Sequence, residues 1–369
     1  MDSDLILVIV VLVALIFSFS NGFQDTGNLI ATSVSTGAAS PRVAILFVSV
    51  LNFLGAFISI QVATTVATEL VDPEALSGSA PLNIVFSGLA AAISWNLVSL
   101  YLRLPSSSSH ALIGGIVGAT VAAVGTGALD ASGLVGKFLV PAVIAPILAF
   151  LVAAAGIAVC YRTVRRLRPG PVTRGFRFGQ IASGGMLALA HGTNDAQKTM
   201  GVITLALIAD GTLGPGSDPP FWVIVTAALA IALGTYAGGR RTSRTSHTRI
   251  IKIDAAQGFS AQGAESSVIL AASYLGFPLS TTQVIGGGNM GSGVAKRLSA
   301  VRWPVAGNIV SAWILTLPAA AVFGAVVYGF TVFAGGGAAG PVLISLAAAA
   351  LAVRAMVSRI RQSRPMAGG

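Results

Sequence analysis

Eleven stretches of this chain are apolar and long enough to cross about 30 Å of hydrocarbon. They cover residues 4–38, 43–68, 81–104, 109–129, 138–160, 178–209, 220–239, 255–276, 280–295, 303–332 and 339–357. No soluble fold has the polar surface to hide so much. Apolar residues fill 54% of the 369 positions and charged residues 9%, with a mean hydropathy of +0.84. An average globular protein has about 25% charged residues. The chain therefore reads as an all-α polytopic membrane protein with about 10–12 membrane segments. The first stretch opens on Asp2 and Asp4, without the basic start and small-residue cleavage pattern of a signal peptide, so it is read as mature structure. A single cysteine, Cys160, excludes a disulfide framework and a cysteine metal cluster.

The net charge of +10 looks like a nucleic-acid signal until the charges are placed. Of the 22 Lys and Arg, 20 follow odd-numbered stretches: Arg42, Arg103, Arg162 to Arg177, Arg240 to Lys252, Lys296 to Arg302 and Arg354 to Arg364. Only Lys137 and Lys198 do not. Glu69, Asp72, Glu74, Asp130, Asp210 and Asp218 follow even-numbered stretches. The positive-inside rule then puts the basic loops and the C-terminus in the cytoplasm and the N-terminus outside, in a multi-pass protein of the cell inner membrane. Nucleic acid is not an expected partner.

Two local patterns recur in the same order. Asn21 to Asn28 (N-G-F-Q-D-T-G-N) is matched by His191 to Lys198 (H-G-T-N-D-A-Q-K), pairing Gly22 with Gly192, Gln24 with Asn194 and Asp25 with Asp195. Pro105 to His110 (P-S-S-S-S-H) is matched by Pro278 to Gln283 (P-L-S-T-T-Q), followed by Gly115 and Gly118 against Gly288 and Gly291. From glycine to proline the two copies measure 83 and 86 residues. Five stretches separate the two starts, so the second copy enters the membrane from the opposite side. The first and sixth stretches, too long for one straight crossing and interrupted by glycine and polar residues, are expected to be broken helices. Inverted repeats with broken helices are the sequence sign of a secondary transporter with a midplane site. If stretches three and four form a re-entrant hairpin instead of two crossings, the parity does not change. The expected organisation is a first inverted repeat over 1–160, a basic cytoplasmic linker over 161–177, a second repeat over 178–335, and an extra helix with a basic tail over 336–369.

A carboxylate at the centre of a helix in lipid costs about 2.5–3.5 kcal/mol on insertion scales, so Asp25 and Asp195 need compensation. Each caps the half-helix that follows it, binds a coupling cation, Na⁺ included, together with Gln24, Asn28, Asn194 and carbonyls of an unwound turn, or does both. Ser107, Ser108 and Ser109, with Ser280, Thr281 and Thr282, offer hydroxyls beside helix N-termini, a setting suited to a tetrahedral oxyanion. Lys198 balances Asp195 or faces that anion. His110 is either a proton carrier or a neutral hydrogen-bonding group. Asn52 and Gln262 are mid-stretch amides, lining the cavity or joining helices, and Glu265 is a further acid in the apolar region.

In combination these motifs resemble the inorganic phosphate transporter (Pit) family, bacterial low-affinity type. Ala190 to Lys198 is similar to its G-x-N-D signature, Pro105 to His110 and Pro278 to Gly293 to its downstream hydroxyl motifs, and Asn52 to Ala56 also fits. The resemblance implies import of inorganic phosphate by symport with Na⁺ or H⁺ through alternating access, with no other cofactor. It places Gln24, Asp25, Asn194 and Asp195 at the cation and Ser107 to Ser109 and Ser280 to Thr282 at the phosphate. Gln24 departs from the usual asparagine. Gln283 departs from the usual histidine and removes a titratable group. Asn52 and Gln262 stand where sodium-coupled eukaryotic relatives carry glutamate, which leans toward H⁺ coupling or a neutral metal–phosphate complex. Membrane lipid and, for assembly, a second copy in a homodimer are the remaining expected partners.

Coupling of some kind is required on physical grounds. A divalent anion entering an interior-negative cell meets about 4.6 kcal/mol at 100 mV. Two readings compete with phosphate symport: a carrier for sulfate or another oxyanion, and an intramembrane protease using Asp25 with Asp195 or Ser109 with His110.

Overall fold

The computed structural model describes residues 2–71, 80–102, 104, 106–239, 253–296 and 301–362. Asp72, Glu74, Arg103, Pro105, Arg297, Arg364 and the Arg240–Lys252 run, all used in the sequence reading, lie outside the described residues. The described chain is helical, with one antiparallel bridge between Val71 and Leu129. The helices are α1 (Asp2–Ser35), α2 (Pro41–Gly55), α3 (Gln61–Thr68), α4 (Ala80–Leu102), α5 (Ser108–Val124), a one-turn α6 (Ala131–Gly133), α7 (Val140–Val164), α8 (Pro169–Ala209), α9 (Phe221–Gly238), α10 (Ala255–Tyr274), α11 (Thr281–Val294), α12 (Trp303–Phe333) and α13 (Ala339–Gln362). A π-helical turn over Leu134–Leu139 joins α6 to α7.

Helix starts follow from local chemistry. Proline opens α2, α7, α8 and α12, where its missing N–H is not needed. Asp254 and Gln257 form a reciprocal capping box at α10. Ser107 and Ser280 cap α5 and α11 by accepting the N–H groups of His110 and Gln283.

Among the described residues, five helical stretches are long and apolar enough to cross a membrane: Ser3–Ser35, Pro81–Leu102, Ala131–Val164, Phe221–Gly238 and Trp303–Phe333. Their outer faces carry rows such as Leu5, Val8, Leu12 and Ile16 on α1, a helical stripe exposed to the surroundings. The chain is a membrane protein.

The breaks expected within the first and sixth stretches are absent. Helix α1 runs for 34 residues through Asp25, and α8 for 41 residues through Asp195. The glycines that suggested a break serve close packing instead. A Cβ at Gly22 would stand 2.3 Å from the Ile231 carbonyl oxygen on α9, and one at Gly192 2.1 Å from the Asn52 carbonyl oxygen on α2. Asp25 and Asp195 therefore cap no half-helix, and side chains rather than unwound backbone surround them. The interruption falls in the second stretch, where α2 ends at Gly55 and α3 begins at Gln61.

Among the described residues, the first hydroxyl motif runs from the α4–α5 connection into α5 (Ser106 to His110) and the second from the α10–α11 connection into α11 (Pro278 to Gln283). Ser109 Oγ of the first motif donates to the Leu279 carbonyl of the second at 3.1 Å, and both residues are buried. Eleven full crossings would put these motifs at opposite faces of the membrane. Motifs in contact cannot be there, so each helix pair is a hairpin whose tip reaches the molecule's interior.

Helix contacts fall into matching sets. Helix α1 packs along α9 as α8 packs along α2 and α3, and α12 packs on α5 as α7 packs on α11. A Cβ at Gly118 would meet the Ala321 oxygen at 1.9 Å, and one at Gly291 the Phe150 oxygen at 2.0 Å. Among the described residues, two large apolar clusters and a small one around Trp313 fill the interior. One large cluster takes Ile6 to Phe17 of α1 and Ala196 to Leu207 of α8; the other takes Leu29 and Ile30 of α1 and Leu187 to Ala190 of α8. Asp25 and Asp195 lie at the seam between them.

Candidate functional site

At the seam α1 and α8 bring two carboxylates to one imidazole. His191 Nε2 lies 2.9 Å from Asp195 Oδ2 and 3.6 Å from Asp25 Oδ2, and all three residues are buried. The other ring nitrogen lies 3.2 Å from Asn52 Oδ1, and Asn52 Nδ2 in turn donates to Thr235 Oγ1 at 2.8 Å. One ligand atom from each of Asp25, His191 and Asp195 falls within 4.8 Å of the others. His191 escaped the sequence reading as a site residue. Its position four residues before Asp195, on one helix face, was the available signal.

The hairpin tips bring the hydroxyls to these carboxylates. Thr281 Oγ1 donates to Asp195 Oδ2 and Thr282 Oγ1 to Asp25 Oδ1, each at 2.9 Å. Ser108 Oγ donates to Asn21 Oδ1 at 2.6 Å. Ser107 and Ser280 are spent on caps. The cation and anion groups, separate in the sequence reading, form one network.

Lys198 lies inside that network. Its Nζ donates to Asp195 Oδ1, to Ser109 Oγ at 2.7 Å and to the Leu279 carbonyl. Lys137, the other basic residue away from the basic loops, sits at the edge, 3.6 Å from Glu69.

The remaining expected residues divide. Asn28 Nδ2 donates to Asp25 Oδ1 at 2.9 Å. Asp25 Oδ2 has no hydrogen-bond partner among the described residues. Gln24 is only half-buried, and its side chain makes no hydrogen bond among the described residues. Asn194 braces the second tip: its Nδ2 donates to Ser273 Oγ and the Phe277 carbonyl, and its Oδ1 accepts the Leu279 N–H. That leaves the amide little capacity for a cation. Gln262 bonds Ser33 and Ser183, tying α10 to α1 and α8 away from the carboxylates. Glu265 is buried against α11, where a Cβ at Gly288 would stand 2.6 Å from its Oε1. That oxygen has no partner among the described residues. His110 Nδ1 lies 3.2 Å from Gln283 Nε2, and both residues line a 620 Å³ apolar cavity with residues of α7 and α12.

A lipid-facing helical bundle with hairpin tips and a buried cluster of acid, imidazole and ammonium defines a membrane transport protein. The chain belongs to the phosphate transporter family, which it matches over residues 21–171 and 162–324. It is 52% identical over 332 residues to a Mycobacterium tuberculosis protein named "Probable low-affinity inorganic phosphate transporter", covering 90% of this chain and 79% of that one. Relatives of the same name in Rhizobium meliloti and Bacillus subtilis are 42% and 40% identical, each over 89% of this chain and 98% of their own. A solved structure titled "The sodium-dependent phosphate transporter" superposes with a TM-score of 0.79 over 88% of this chain and 98% of that chain, at 24% identity, and so shares the fold. These relatives are transporters, not enzymes, and the protease reading falls with them.

Proposed function

We propose that the protein imports inorganic phosphate across the cell inner membrane as a cation symporter working by alternating access. The observation that carries this reading is the pair of hydroxyl contacts, Thr281 to Asp195 and Thr282 to Asp25. A hydroxyl has one proton to donate. While it donates to a carboxylate it is unavailable to an anion. A cation or proton arriving at Asp25 takes over its oxygens and frees the Thr282 hydroxyl to turn toward phosphate. Coupling is thus a competition for a hydroxyl proton, and anion binding follows cation binding. Charge balance favours the same order, because a cation lowers the electrical and desolvation cost of the anion.

H⁺ is favoured over Na⁺ as the coupling ion because the amides Asn52 and Gln262 stand where the family resemblance puts glutamate in sodium-coupled relatives. The N-terminus lies outside and the basic loops and C-terminus in the cytoplasm. Reconstitution into liposomes with labelled phosphate, under separately imposed pH and Na⁺ gradients, tests the reading. Accumulation driven by the pH gradient and abolished by Asp195→Asn is the expected result; equal accumulation by that variant overturns it. Sulfate competition decides whether another tetrahedral oxyanion shares the site.

A second reading has its own support. Asp25, His191 and Asp195 offer oxygen and imidazole donors to a divalent ion, which would travel as a neutral metal–phosphate complex. Uptake that requires Mg²⁺ or Mn²⁺ and carries the metal with phosphate in equal amounts would replace proton coupling by this route.

A further inference from the structure

The ammonium of Lys198 is surrounded by oxygen. The side chain is 2% exposed, and its Nζ donates to a carboxylate on α8, a hydroxyl in the first turn of α5 and a carbonyl in the α10–α11 turn. An ammonium has three N–H donors and no acceptor, so these three oxygens exhaust it and leave no donor for a substrate anion. Carboxylate, hydroxyl and carbonyl are also the ligands that a hard metal cation takes.

The matching position in the first repeat is Asn28. It makes the same contact, side chain to carboxylate three residues earlier, but brings no charge. Asp25 keeps an oxygen without a hydrogen-bond partner among the described residues, while Asp195 is closed off by Lys198, Thr281 and the nearby imidazole. The two carboxylates differ in this: one has a cation built into the chain.

We propose that Lys198 is a tethered cation filling a monovalent-cation site on Asp195, so that only the Asp25 side takes a coupling ion from solution. Removing the ammonium leaves Asp195, Ser109 Oγ and the Leu279 carbonyl open to Na⁺. The proposal rests on the cation-coupled reading of the site and assigns how many ions the site takes up. A carrier with a resident charge runs on one fewer free cation per cycle.

The test uses the full chain in detergent, purified in choline chloride, with Tm read as NaCl replaces choline at constant ionic strength. Lys198→Ala is expected to gain about 3–6 °C in a saturating concentration of NaCl. The unsubstituted protein and Lys198→Met, whose apolar chain occupies the space, are expected not to respond. An equal response in all three, including none, overturns the proposal. Should Lys198→Ala be recovered folded in neither salt, Lys198→Asn takes its place, since its amide oxygen supplies a neutral ligand. Failure to recover that variant in NaCl also overturns it. The shift reads ion binding alone. Absence of phosphate uptake by the unsubstituted protein would defeat the symport reading and leave the thermal result to decide the tethered cation.

Discussion

Charge pairing at the seam sets the energetics of individual residues. Asp195 and Lys198 are both buried, so removing one partner leaves the other an uncompensated charge. Asp195→Asn is expected to lower stability by about 3–5 kcal/mol, read as a fall in Tm, besides its effect on uptake. Asp25→Asn removes a carboxylate with no ammonium partner and is expected to fall well short of that. Equal losses would contradict the asymmetry between the two repeats. Asn194 is a bracing residue, and Asn194→Ala removes three hydrogen bonds from the second tip. A loss of about 2–4 kcal/mol is expected, measurable by thermal unfolding in detergent. At this scale the sequence was half legible. Asp25, Asp195 and the hydroxyls stood out because polar groups in apolar stretches demand an explanation. Asn21, Thr235 and Ser273, which meet Ser108, Asn52 and Asn194, did not, because nothing in the type of a lone polar residue says what it meets 80 or 180 positions away.

Elements were legible where hydropathy decides and illegible where packing does. Apolar stretches located the helices, and repeated motifs located both tips. Glycine amid polar residues reads as a helix break, yet in α1 and α8 the same composition lets two backbones touch. Such glycines have no room for a methyl group. Gly192→Ala would drive a carbon into the Asn52 carbonyl, and because Asn52 also holds His191, stability should drop by about 1–3 kcal/mol with a parallel loss of phosphate uptake. Gly136→Ala, with nothing within 4 Å of its added carbon, is the control. Helix ends also carry a pH dependence. Burial alone would raise the Asp254 carboxyl, but the Gln257 N–H, Lys296 and Tyr161 outweigh it and hold its pKa below the ordinary value. A depressed folded pKa contributes stability above the unfolded pKa, and that contribution is lost as pH falls through the folded one. Asp254→Asn should therefore flatten the decline of Tm below about pH 4, and an unchanged acid limb would argue against the clamp.

For the molecule as a whole, charge placement sets an orientation that cysteine labelling can read. In a Cys160→Ala background, Arg168→Cys before α8 should react with an impermeant reagent only from the cytoplasmic side, and Asp218→Cys, beyond its far end, only from outside. Helix α8 has 41 residues, about 62 Å at 1.5 Å each, ample to carry both probes clear of a bilayer. Labelling of both from one side would refute the orientation.

The unbroken course of α8 through Asp195 also restricts how the protein moves. A helix with a melted middle can flex its halves independently; a rod cannot. Where α8 takes part in baring the buried cluster to either compartment it moves as one piece, so its arginine-rich foot and its far end travel in opposite senses about a fulcrum near Asp195. A rigid crosslink at either extremity should arrest turnover as completely as one beside the cargo.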